Sequence, residues 1–309
     1  LLGILAQHSP ARAQEHAHAL MDYSRRMTEA LIAQIPDGEY RFRDQLEGDG
    51  QAEFDIPIQV TIRVQGSSMQ VDFTGSAPQV AGNVNAVPPI VRSATWYCVR
   101  LLAEEDVPVN HGCFQPVEVV IPEGAFLNAA FPAAVAVGNT ETGQRVVDAV
   151  LGALAQALPQ QIPAASQGTM NNVTVGGIHR GNAFVYYETI GGGHGAGPLG
   201  AGLSGAHSHM TNTQNTPIEA LEMALPLRVL RYSLRPDSGG AGQQRGGDGI
   251  VREYEFLSEA SVTINSERRR HSPYGLAGGA PGQPGENLLL RSRNKDSHAL
   301  PAKAALRVR

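Results

Sequence analysis

His207 and His209 stand two residues apart, with Glu188, His194 and Glu219 nearby in the chain. In extended backbone such a pair shares one face. Imidazoles beside carboxylates can move protons near neutral pH, and they can also ligate a metal. Spacing along loops does not separate ligation from hydrogen-bonded loop histidines or from contacts to a substrate. Just upstream, residues 188–202 read ETIGGGHGAGPLGAG. Glycines at Gly191, Gly192 and Gly193 let backbone approach a ligand, and successive N–H groups can cradle an anion, the other reading being a flexible surface loop. No lysine and no convincing helix follows, so neither the Walker pattern nor the dinucleotide fingerprint fits.

Two polar stretches flank this region, SQGTMNN over 166–172 and MTNTQNTPIE over 210–219, the latter carrying Thr211 and Asn212. Such amides and hydroxyls pin turns and cap helices, or form a wall that orients a small amide or carboxylate. Thr216 reads as the cap of a helix begun at Pro217, with Glu219 completing a capping box. Asn139, Glu141 and Arg145 in AVGNTETGQR read as a helix cap, with anion binding at the helix start as the alternative. No serine or cysteine sits in a nucleophile elbow. Arg268 to His271 reads as a solvated or interface charge run.

The elements that must position these residues follow from periodicity. Ser9-Pro10 opens a helix whose Leu20, Met27, Leu31 and Ile35 run to Pro36-Asp37-Gly38. Phe54 to Val64 alternates strictly, Gly66 turns the chain, and Met69, Val71 and Phe73 alternate again, an antiparallel hairpin. Helical spacing returns over Ile90 to Glu104 and Val146 to Leu158, with a short buried strand at Val117 to Ile121 between them. Beyond Pro163, strands are expected at 183–189, 227–234, 250–256 and 261–265, and Ala304 to Val308 reads as a strand still running. The fold class is α+β, with mixed, largely antiparallel sheets, packed helices and long glycine-rich loops. The expected division is 1–160 and 161–309, with one continuous domain as the alternative.

Composition removes whole classes of chemistry. The 309 residues are 42% hydrophobic and 17% charged, so the chain can bury a core and is not read as disordered. Lys295 and Lys303 are its lysines, both close to the C-terminal end, so no lysine-bearing phosphate loop or Schiff base is built here. A net charge of −5 with scattered arginines argues against nucleic acid. Cys98 and Cys113 read as two reduced thiols in a cytoplasmic protein, and neither a membrane span nor a signal peptide is evident. The ends, Leu1 and Arg309, look cut, as in a fragment of something longer.

ETIGGGHGAG, HMTNTQNTPIE, RPDSGGAGQQRGGDGIVREYEF (235–256) and RRRHSPYGLAGG (268–279) together resemble the hydantoinase B/oxoprolinase family. SQGTMNN, AVGNTETGQR, MDYSRRM and IPDGEYRFRD fit the same likeness, which runs in order along essentially the whole chain. The resemblance implies a B-type subunit of an ATP-dependent cyclic amide hydrolase acting on hydantoin, 5-oxoproline or a related lactam. A hydantoinase A-type partner would hold ATP and magnesium and phosphorylate the substrate. It also implies a divalent metal whose Asp and His ligands lie in an N-terminal region that nothing here matches, so no metal ligand is assigned to this chain. By position in the family's most distinctive stretch, Glu188 and His209 are the expected catalytic residues. Gly191, Gly192, Gly193, His207, Thr211 and Asn212 are expected to line the substrate cavity. The alternatives are a subunit of an acetone- or acetophenone-type carboxylase, and a non-catalytic scaffold.

Overall fold

The computed structural model describes residues 2–103, 106–291 and 297–308. Leu1, Lys295, Arg309 and the expected helix end at Glu104 lie outside the described residues. A short helix, α1 (Leu2–Gln7), precedes α2 (Pro10–Ile32). Ser9 caps α2 as expected, its hydroxyl accepting the Arg12 N–H at 3.3 Å.

The first sheet runs in the order β1 (Gly38–Glu47), β2 (Asp55–Gln65), β3 (Ser68–Asp72), β4 (Val117–Val120). The expected hairpin is present as β2 and β3, in register from Thr61 opposite Asp72 to Gln65 opposite Ser68. Gly66 turns between them at φ 59°, a left-handed conformation that suits glycine. Alternation delivers its physical consequence: Ile56, Ile58, Val60 and Ile62 are wholly buried. β1 extends this hairpin with ten paired residues, and β4 joins β3 in parallel.

Two helices cover the sheet, α3 (Pro88–Leu101) and α4 (Gly143–Ala157), α4 entered through a π-helical turn at Gly138–Thr142. α4 is buried from Gly143 through Ala155. At Gly152 a Cβ would stand 2.7 Å from the Phe42 ring, so glycine lets helix and β1 approach.

The second half builds a sheet in the order β12 (Lys303–Val308), β9 (Ala260–Asn265), β5 (Asn172–His179), β6 (Asn182–Thr189), antiparallel throughout. Beside it lie the ribbon of β7 (Leu227–Leu234) with β8 (Ile250–Phe256), and the pair β10 (Asn287–Leu290) with β11 (Ser297–Leu300). The helix α5 (Ile218–Ala224) precedes β7. Its N-cap is Pro217 with no side-chain cap, so the expected Thr216–Glu219 capping box does not form. The helix starts one residue later than the box requires, and the Leu221 N–H bonds the Pro217 carbonyl.

The mixed α+β class with mainly antiparallel sheets is thus what the chain adopts. Its larger apolar core lies under α3, α4 and the first sheet, with Phe73, Phe126 and Leu154 fully buried. A smaller cluster around Val175, Val262 and Val308 serves the second sheet. Among the described residues no helix is long and apolar enough to cross a membrane.

Candidate active site

The glycine-rich loops are ordered by backbone packing. Gly192 exchanges both backbone hydrogen bonds with Ala206, and the Gly247 N–H donates to the His194 carbonyl at 2.9 Å. A Cβ on Gly193 would stand 2.0 Å from the Gly247 oxygen, so these strips touch only because side chains are missing. Gly191, Gly192, Gly193 and His194 form part of the wall of a cavity of about 1830 Å³, between these loops and β8, β9 and β10. Glu188, His207, His209, Thr211 and Asn212 are not in that wall.

Six arginines line the cavity, and Arg235, Arg252, Arg268 and Arg269 among them are held by polar partners. Arg235 pairs with Glu286 at 2.6 Å, Arg252 with Glu188 at 3.1 Å, and Arg268 with Asp44 and Asp148 at 2.8 Å each. Arg269 donates to Asn171 and Asn287 at 2.9 Å.

Glu188 is the penultimate residue of β6, and its side chain is almost wholly buried. Besides Arg252, its carboxylate accepts from the Asn215 amide and the Tyr254 hydroxyl. The Arg252 guanidinium lies 4.2 Å from the Tyr232 ring centroid and 5.2 Å from that of Tyr254. Burial raises the Tyr254 phenol, and the Glu188 charge adds to the rise.

The histidines gather beyond that carboxylate. His207 Nε2 is 3.3 Å from the Thr213 hydroxyl, and its Nδ1 is buried without a hydrogen bond. Its imidazole is held below the ordinary histidine value by burial, against the pull of Glu188. His194 Nε2 meets the His207 carbonyl at 2.9 Å, and the His194 and His209 ring centroids are 6.5 Å apart.

His209 sits at φ 52°, an unusual conformation for a residue with a side chain. Gln144 of α4 fixes it: its amide donates to the Ser208 carbonyl at 3.0 Å and the Thr211 hydroxyl at 2.9 Å, and its oxygen accepts the Met210 N–H at 3.2 Å. His209 Nε2 lies 3.7 Å from the Asp148 carboxylate of α4, and Nδ1 lies 3.5 Å from the Tyr97 hydroxyl of α3. Burial lowers its imidazole, Asp148 opposes this and His194 adds to it. Asn212 is exposed on the same loop.

Two expectations need correction. Arg268 is not part of a solvated run: it is 3% exposed and bridges Asp44 and Asp148, while the Glu47 carboxylate accepts the backbone N–H groups of Arg269, Arg270 and His271. Only the Arg270 and His271 side chains, paired with Asp55, face outward. Nor do Asn139, Glu141 and Arg145 form a cap or an anion site. Arg145 is wholly buried between Asp44 at 3.2 Å and Glu267 at 3.5 Å, and Glu141 accepts from Thr169, Met170 and Asn172.

Asp148, Tyr97, Gln144 and Arg252 were not singled out from the sequence. Asp148 carried one legible signal, an acid alone within the apolar run VVDAVLGALA. Among the described residues, no three His, Cys, Asp or Glu side chains are placed to hold a metal ion. The described residues do not fit a metal centre.

The chain and its fold have counterparts among known proteins. The family model for hydantoinase B/oxoprolinase matches residues 1–309, and the chain belongs to that family. It is 48% identical over 235 residues to 5-oxoprolinase 1 of Arabidopsis thaliana, covering 76% of this chain and 18% of that protein. It is 32% identical over 311 residues to a protein of a Pseudomonas species described as the B-type subunit of a D-/L-hydantoinase, covering 97% of this chain and 52% of the relative. The crystal structure of the ATP-dependent caprolactamase from Pseudomonas jessenii superposes with a TM-score of 0.86 at 26% identity, over 99% of this chain and 55% of that one. The chain therefore spans about half or less of the proteins it matches.

Proposed function

We propose that this chain is part of a B-type subunit of an ATP-dependent cyclic amide hydrolase, acting on hydantoin, 5-oxoproline or a related lactam. The observation that carries the reading is full-length family membership joined to likeness with relatives named for 5-oxoproline, hydantoin and caprolactam chemistry. An A-type partner subunit supplies ATP and magnesium, a reading supported by Lys303 being spent on Glu267 and by Arg235, Arg252 and Arg268 of the cavity wall being paired with acids. The divalent metal of the complete enzyme is held by residues outside this chain, and the chain alone turns over nothing. Free, buried Cys98 and Cys113 suit a cytoplasmic location. The halves 1–160 and 161–309 act as one continuous unit, a reading supported by the ion pairs of Arg268 across them.

Within the site, Glu188 and His209 carry acid/base roles. Gly191, Gly192, Gly193, His207, Thr211 and Asn212 form the surroundings of the activated ring. Glu188 is held as a carboxylate acceptor by Arg252, Asn215 and Tyr254, and the pairing of His194 with the His207 carbonyl joins the glycine loop to the histidine loop. In the complete enzyme, Glu188→Gln is expected to lower ATP-coupled ring opening about 10²-fold or more. Full retained activity would remove Glu188 from the site.

A further inference from the structure

We propose that Asp148, His209 and Tyr97 form a proton relay in which the Tyr97 hydroxyl is the end that exchanges protons with the reacting groups. The proposal rests on the hydrolase reading above and adds to it a residue from α3 and one from α4.

Three observations carry it. The first is a carboxylate oxygen held in reserve. Asp148 is 1% exposed, its Oδ2 is fixed by Arg268 at 2.8 Å, and its Oδ1 is buried without a hydrogen bond, 3.7 Å from His209 Nε2. A buried, unsatisfied acceptor is costly unless a donor can close on it, and the imidazole is that donor. The second is the left-handed backbone of His209, locked by Gln144, which aims the ring between Asp148 and Tyr97. The third is direction. Nδ1 lies 3.5 Å from the hydroxyl of a half-buried tyrosine, so the series runs outward from a buried acid to a partly accessible phenol.

The order of acid, imidazole and hydroxyl follows the logic of an orienting carboxylate, a base and an activated hydroxyl. Both separations are long for hydrogen bonds, as catalytic contacts often are before substrate is bound. Asp148 favours the tautomer with hydrogen on Nε2, which leaves the Nδ1 lone pair towards Tyr97. The step balances without a co-reactant. As water attacks the activated ring carbon, it gives a proton to Tyr97 Oη, and the original tyrosine proton passes to His209 Nδ1. The imidazolium formed is held by Asp148. When the carbon–nitrogen bond breaks, the same path reversed delivers that proton to the departing nitrogen. The added hydroxyl gives up the second N–H proton as it becomes the acyl carbonyl, and the acyl phosphate left behind is hydrolysed by a further water to carboxylate and phosphate.

The groups facing His209 are Asp148 from α4, Tyr97 from α3 and His194 from the glycine loop, with Arg268 on the far side of Asp148. Burial holds Tyr97 up at about 12 and lowers His209, so the resting relay is a neutral phenol beside a neutral imidazole at pH 7.

The test uses the complete enzyme, full-length subunit with its ATP-hydrolysing partner. Tyr97→Phe removes one oxygen from a half-buried ring, and His209→Asn keeps a residue that tolerates positive φ. Each is expected to lower kcat about 10²-fold with KM little changed, and the double variant to be no worse than the poorer single. The acidic limb of the kcat–pH profile, set by His209, should vanish in both. A Tyr97→Phe enzyme within about twofold of the parent, or one that keeps that limb, would overturn the relay. A second readout is independent of substrate: histidine-selective ¹⁵N NMR of the full-length subunit should show His209 neutral with its proton on Nε2, and a changed Nδ1 shift in Tyr97→Phe. A proton on Nδ1 would overturn the relay as well. If turnover proves to need bicarbonate, the hydrolase reading fails and the NMR result alone decides the relay.

Discussion

One guanidinium, that of Arg268, meets two buried carboxylates on different elements, Asp44 on β1 and Asp148 on α4. Removing it strands both acids, and the penalty for a broken buried pair greatly exceeds what the intact pair gains. Arg268→Met should therefore cost about 3–5 kcal/mol in urea unfolding, whereas Arg270→Met, at an exposed pair with Asp55, should stay within about 1 kcal/mol. Glu141 offers a pH test. Burial holds its carboxyl up at about 7 from an ordinary 4.5, so the folded state keeps a proton that the unfolded chain releases. The stability this group contributes is complete below pH 4.5 and is lost as pH rises through 7. Glu141→Gln should flatten that fall, and an unchanged slope between pH 5 and 7 would show that other groups cause it. Neither role was legible in the sequence. An arginine run reads as solvated by default, and the acids that bury Arg268 lie 224 and 120 residues away.

Elements were more legible than residues because periodicity is local. The β2–β3 hairpin, α2, α3, α4 and the strands β6 to β9 follow from alternation, helical spacing and caps. What escaped included β1, whose inward face carries the charged, buried Asp44 between Phe42 and Leu46, β5, whose Gly176 and Gly177 weaken the strand signal, and the short α1, β10 and β11. The glycine loops were legible as landmarks, but their physical reason was not: their glycines serve loop-on-loop contact. Gly193→Ala must push Gly247 away and should destabilise by about 1–3 kcal/mol. Gly200→Ala meets nothing within 4 Å and should change stability by no more than about 0.5 kcal/mol. Thermal unfolding of the two variants side by side checks this, and equal midpoints would refute the packing argument.

At the scale of the whole molecule, two apolar clusters are tied by charges, and the chain presents a cavity of about 1830 Å³, larger than the roughly 300–1,000 Å³ typical of small-molecule sites. The candidate proton-transfer groups lie outside its wall, where α3, α4 and the histidine loop meet. Relatives extend well beyond this length, and in the proposed function their additional chain and an ATP-binding partner supply the parts of the reaction this chain does not hold. The proposed hydrolysis of an activated cyclic amide is tested most directly in the complete enzyme, assayed with 5-oxoproline, hydantoin and caprolactam for ring-opened product and ADP, with and without bicarbonate. Ring opening of at least one of them is expected, requiring ATP, yielding one product per nucleotide cleaved and indifferent to bicarbonate. Product that appears only with bicarbonate, or ring opening that proceeds equally well without ATP, would contradict it.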